Sequence, residues 1–119
     1  REGKNLPIVH CVKNTPGWEV YGQTKQALKD VDAVGFCKDS FGLSMTEDVT
    51  KLLPKEVDEI VLVGLVSNIC VISNAVVFQT KYPEATVTVD ASLTGSTDKA
   101  LHAHALDVLQ GLQVNVINR

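Results

Sequence analysis

The sequence predicts an α/β fold: a three-layer α/β/α arrangement around a mainly parallel sheet, lacking its N-terminal strand. Three observations predict it. Short β-branched runs alternate along the chain with longer segments of helical periodicity. The connections are short, which in a strand–helix–strand chain means right-handed crossovers and parallel neighbours. The run IVLV at residues 60–63 is apolar without alternation, as in a strand buried on both faces. The omission is read from the start of the chain. It opens in a polar loop, where a doubly wound sheet ordinarily has its most central strand.

Each element has a local reason. Residues 7–13 carry the short apolar stretch IVHCV, closed by the turn-rich Asn14-Thr15-Pro16-Gly17. Residues 23–29 form a brief helix and residues 33–37 a strand. Ser44 opens a capping box with Glu47, starting a helix that runs to Leu53 and stops at Pro54. Gly64 breaks the strand at 60–63. Ser67 and Asn68 offer caps for a helix over 69–80 that is buried almost all round. Residues 86–89 form a strand. Residues 98–109 form an amphipathic helix, with Leu101, Ala105, Val108, Leu109 and Leu112 at helical spacing. Gly111 ends it, and residues 114–117 form the last strand.

Composition narrows the function classes. A chain of 119 residues fits one domain and buries about two-thirds of its unfolded surface. Its 45% hydrophobic and 21% charged residues are those of a soluble globular protein. The net charge of −3, without a basic cluster, argues against nucleic acid or an anionic membrane as partner. No apolar run reaches the length of a membrane span, and REGKNLP lacks the features of a signal peptide. Cys11, Cys37 and Cys70 show neither CxxC nor zinc-ligand spacing, which suits free thiols in a reducing cytoplasm.

Cys70 is the candidate with chemistry behind it. It falls in the first turn of a helix that follows a buried strand, where unpaired N–H groups and the helix dipole favour a thiolate. A strand, a tight turn and a nucleophile at a helix N-terminus can supply backbone N–H groups to an oxyanion. A cysteine there also reads as a buried packing thiol, and position alone leaves both open. Lys38, after the strand at 33–37, sits with the 64–70 turn at strand C-terminal ends, where ligands of such folds bind.

In this order, the segments EGKNLPIVHCVKNTPGWEV, CKDSFG, GLVSNICVISNA and PEATVTVDAS resemble the isochorismatase-like cysteine hydrolases, and within them the nicotinamidase-like branch. The resemblance implies Cys70 as nucleophile and Lys38 as its cationic partner. It implies a cis peptide between Leu65 and Val66, with the Val66 and Cys70 N–H groups turned to the oxyanion. It implies His10 as a ligand of a divalent metal (zinc, iron or manganese). The expected reaction is hydrolysis of a small amide to acid and ammonia through a thioester, in a cytoplasmic homo-oligomer. The alternatives are a vinyl ether hydrolase of the isochorismatase type, or a catalytically incomplete interaction subunit. The family's catalytic aspartate and its Asp-x-His metal segment precede the matched stretch, so the chain is expected to be an N-terminally truncated domain.

The remaining candidates have local readings. Trp18 and Phe41 line an aromatic pocket for a flat ring or pack in loops. His102 and His104 lie two apart on a helix, point to different faces and are not a metal pair. Asp90 caps a loop before Ser92. Cys11 and Cys37 read as buried packing residues.

Overall fold

A computed structural model describes residues 9–119. The chain divides into two compact units, Arg1–Asp39 and Ser40–Arg119.

In the first unit, Pro16–Trp18 is a single 3-10 turn with proline at its first position, where the missing N–H costs nothing. Thr15 fixes the turn, its hydroxyl donating to the Val12 carbonyl at 2.6 Å. Helix α1 (Gly22–Asp30) covers the predicted helix at 23–29. It stops where Asp32 takes a left-handed φ of 49° and the Ala33 N–H bonds back to the Leu28 carbonyl at 2.9 Å.

The strand expected at 33–37 does not form, and residues 9–13 form none either; residues 7 and 8 of that stretch lie outside the described residues. An apolar run becomes a strand only when its N–H and C=O groups find a ladder partner, and none of the described residues pairs with these segments. Val34 is 59% exposed accordingly. Cys11 and Cys37, expected to be buried, are exposed for the same reason: without a ladder there is no sheet face to cover them.

In the second unit, strands β1 (Glu59–Leu65), β2 (Thr86–Gly95) and β3 (Asn115–Ile117) form a parallel sheet in the order β1-β2-β3. The fold class is α/β. Helix α2 (Glu47–Leu52) is capped by Thr46 rather than Ser44, whose carbonyl instead accepts the Thr46 N–H at 2.9 Å. That cap places Glu47 and Asp48 in the first turn, against the positive end of the helix. Leu53 turns extended ahead of Pro54, as the proline ring requires.

Helix α3 (Ile72–Lys81) begins three residues later than expected, because Ser67–Val71 is wound as one π-helical turn. Neither Ser67 nor Asn68 caps it; the turn starts at Val66 without a side-chain cap. Helix α4 (Lys99–Gly111) starts as predicted at Asp98, whose carboxylate accepts the Ala100 and Leu101 N–H groups at 2.7 and 2.9 Å. Gly111 is still helical. The left-handed residue that ends α4 is Gln113, with φ 65°.

The core gathers on one side of the sheet. Val87, Val89 and Ala91 of β2 pack with Val71 and Ala75 of the α3 region, Leu106 and Leu109 of α4, and Val114. Ile60 and Leu62 of β1 join them, but Val61 and Val63 are 54% and 53% exposed. Thus β1 is not buried on both faces: it is an edge strand of this sheet, and its pleat sends alternate residues to opposite sides. Helix α3 is likewise only partly covered, with Val76 44% exposed. In α4 the buried residues are Ala105, Leu106 and Leu109, while Leu101, Val108 and Leu112 of the predicted stripe face solvent.

Candidate active site

The site is built at the C-terminal end of β1. There β1 and β2 lose regular register: Leu62 pairs with Val89, but Gly64 pairs with Thr94. The intervening residues of β2 are looped out at the end of the parallel strands, where this class of fold places ligands. Gly64 adopts φ 107°, which a side chain would resist. The Leu65–Val66 peptide bond that follows is cis.

From Val66 the chain enters the π turn. The Ile69 and Val71 N–H groups both donate to the Val66 carbonyl, at 3.1 and 3.2 Å. Cys70 therefore occupies the first helical turn, half-buried, directly ahead of α3. The wide turn is fastened from below by Ser67, which is fully buried and whose hydroxyl lies 2.9 Å from Nδ1 of His102 on α4. His102 is thus engaged with Ser67, while His104 is exposed.

A second layer comes from Asn74, one turn beyond Cys70. Its Nδ2 donates to the Cys70 carbonyl at 2.8 Å and to the Phe41 carbonyl at 3.2 Å, and its Oδ1 accepts the Leu43 N–H at 2.8 Å. Through this one amide, half-buried Phe41 and Cys70 are brought together. Composition and spacing did not single out Asn74. The available signal was a poor helix former one turn past the candidate nucleophile, since asparagine within a helix commonly bonds the backbone nearby.

Asp90 closes the loop after the regular part of β2. One carboxylate oxygen accepts the Ser92 N–H and hydroxyl at 3.0 and 2.7 Å, and the other accepts from Asn118 at 2.9 Å. The bond from the Ser92 hydroxyl, helped by Asn118 and the loop N–H groups, holds the carboxyl below its ordinary range against the opposing effect of burial.

The other sequence-predicted residues, His10, Trp18 and Lys38, belong to the first unit, where all three are exposed. Among the described residues, no three His, Cys, Asp or Glu side chains gather as a metal site. His10 offers at most one donor, and stable divalent sites need three or four. The described residues thus do not fit a resident metal.

The site is thus a cysteine-bearing helical turn at the C-terminal end of a strand in a parallel α/β sheet. The isochorismatase domain family matches residues 2–119, and the chain belongs to that family of hydrolases. A search of curated protein sequences gave no significant match. Among solved structures, the chain is similar to nicotinamidase/pyrazinamidase PncA from Bacillus subtilis, with a TM-score of 0.79 and 22% identity over 96% of this chain and 64% of that one. It is similar to pyrazinamidase/nicotinamidase from Streptococcus mutans, with a TM-score of 0.78 and 25% identity over 98% and 66% of the two chains. A third likeness is to the nicotinamidase SaPncA from Staphylococcus aureus, with a TM-score of 0.76 and 20% identity over 93% and 71%. The chain thus spans 64% of the Bacillus subtilis structure's length.

Proposed function

We propose that this chain carries the nucleophile half of a cysteine-dependent amidohydrolase of the nicotinamidase type, acting on a small amide. The observation that carries the reading is the place of Cys70: the first helical turn at the C-terminal end of a parallel strand, in a fold shared with several nicotinamidases.

In the proposed reaction the Cys70 sulfur attacks the amide carbonyl carbon, forming a C–S bond and an oxyanion. Backbone N–H groups of the Val66–Cys70 turn receive that charge. The C–N bond then breaks, and the amine takes a proton and departs as ammonia. Water attacks the thioester, releasing the carboxylic acid and returning the thiol. Lys38 is the proposed cation that stabilises the thiolate, and Trp18 and Phe41 the proposed aromatic contacts for a flat ring. His10 is kept as a metal ligand only in concert with donors outside the described residues, and no step depends on it.

The compartment proposed is the cytoplasm, on the strength of three cysteines that form no disulfide. No helix among the described residues is long and apolar enough to cross a membrane. Self-association is also proposed. The exposed Val61, Val63 and Leu65 along edge strand β1 favour pairing with another chain, which is also the feature that would suit a non-catalytic interaction subunit.

Ammonia release from nicotinamide, measured with and without added Zn²⁺, Mn²⁺ or Fe²⁺, tests the reading. Cys70→Ala should lower the rate about a thousandfold or more. Ammonia release that survives this substitution excludes Cys70 as nucleophile. Pyruvate release from isochorismate, without ammonia release from amides, would favour the vinyl ether hydrolase. Turnover of neither substrate would favour the interaction subunit.

A further inference from the structure

Asn74 stands out because every hydrogen-bonding group of its side-chain amide is used, one on the preceding helical turn and two on a loop distant in sequence. Two donors meet two carbonyls, of Cys70 and Phe41, and the acceptor meets the Leu43 N–H. The arrangement reads in one direction only. Reversing the amide would set its oxygen against two carbonyl oxygens and its NH₂ against an N–H.

An independent observation places the same loop on the same helix. A Cβ built on Gly42 would lie 3.1 Å from Val77 Cγ2 and 3.7 Å from the Ser73 carbonyl, so the loop backbone rests directly on α3, where a side chain would require Val77 to give way. The loop is also tightened from within, the Ser40 hydroxyl donating to the Gly42 carbonyl at 2.8 Å. Residues 40–43 are therefore seated on α3 by close approach at Gly42 and by the Asn74 amide on either side of it.

We propose that Asn74 is a positioning residue: it locks the 40–43 loop, with Phe41, to the turn carrying Cys70, so that loop and nucleophile are held as one body. The proposal rests on the reading of Cys70 as nucleophile. Losing the amide frees the Cys70 carbonyl and the loop together, and the turn no longer holds the thiolate in a fixed field. An aspartate of the same shape goes further. It faces two carbonyl oxygens with an acceptor and adds a negative charge one turn from the thiol, which raises the thiol pKa.

The test is site-resolved alkylation of the whole chain by iodoacetamide across a pH series, with Cys11 and Cys37, both exposed, as internal controls. Asn74→Ala and Asn74→Asp should each slow labelling at Cys70 by about threefold to tenfold, the scale of one net hydrogen bond. The Asp variant should also move the Cys70 profile to higher pH, with both controls unchanged. Wild-type rate and profile at Cys70 in both variants would overturn the proposal. A Cys70 that labels in the wild type no faster than its controls overturns the nucleophile reading instead. In that case, or if the variants do not fold, amide exchange of the wild-type chain decides whether the clamp exists. The Leu43 N–H should be protected at least about tenfold beyond an unbonded amide, and exchange at the unbonded rate would overturn the clamp.

Discussion

Residues 33–37 and the start of strand β2 both read as strands in the sequence, and they end differently. In β2 the N–H and C=O groups are shared with β1 on one side and β3 on the other, and Val87 and Val89 are buried. Among the described residues, 33–37 have no ladder partner, and Val34 stays exposed. The same contrast holds between the two units: every buried core residue among those described belongs to Ser40–Arg119. A β-branched run is therefore only permission to be a strand. The ladder and a covered face make it one, and neither is written in the run itself.

The comparison can be broken most forcefully by removing bulk from a helix in each unit. Leu109 on α4 is fully buried against the sheet, whereas Leu28 on α1 is 40% exposed. Leu109→Ala should cost about 2–5 kcal/mol, from lost burial and the cavity left behind. Leu28→Ala should stay within about 0.5 kcal/mol, as for a surface substitution. Denaturant midpoints of the two variants measure the difference, and comparable losses would mean that α1 contributes to the cooperative core.

A smaller effect is expected at Asp90, and it depends on pH. Its folded-state pKa lies below the ordinary 3.8, chiefly through the Ser92 hydroxyl. The carboxylate thus adds stability that is fully present above the ordinary value, and this is lost as pH falls through the lowered one. Thermal unfolding of wild type and Asp90→Asn should therefore differ most near neutrality and converge below pH 3.8. A gap that stays constant down to acid would show that the charged form gains nothing from its partners. Glu19, held low by its bond and ion pair with Lys25, lies on the surface with its side chain 54% exposed, so Glu19→Gln should leave the same curve almost unmoved.

How much of this was legible from residue types depends on range. Helices α1 and α4 and the strands at 60–63 and 86–89 were readable because residue patterning is local, the amphipathic run of α4 being the clearest case. The winding of Ser67–Val71 was not: its Ser67 meets His102 from another helix, a contact that no local pattern announces. The Cys70 turn could be located from Gly64 and the run that follows it. The Asn74 clamp could not, since its partners Phe41 and Leu43 lie 33 and 31 residues away in sequence. The one-sided burial of β1 was hidden for the same reason: IVLV is compatible with one covered face or two, and only its neighbours decide.

The finest test uses a feature that both units share. Each has a helix stopped by a non-glycine residue in the left-handed region, Asp32 after α1 and Gln113 after α4. Glycine occupies that region without the Cβ clash but adds freedom to the unfolded chain, so the two effects partly cancel. Gln113→Gly should gain a few tenths to about 1 kcal/mol in global stability, because α4 packs on the core through Leu109 and the Val114 N–H returns to the Leu109 carbonyl at 3.0 Å. Asp32→Gly repairs the same strain in a unit whose described residues include none that is buried, and aspartate tolerates the region better than glutamine does. It should leave the global unfolding midpoint unchanged. An equal shift for both would place α1 within the cooperative unit despite its exposure. A shift for neither would mean that the freedom glycine adds to the unfolded chain fully offsets the relief of strain at Gln113.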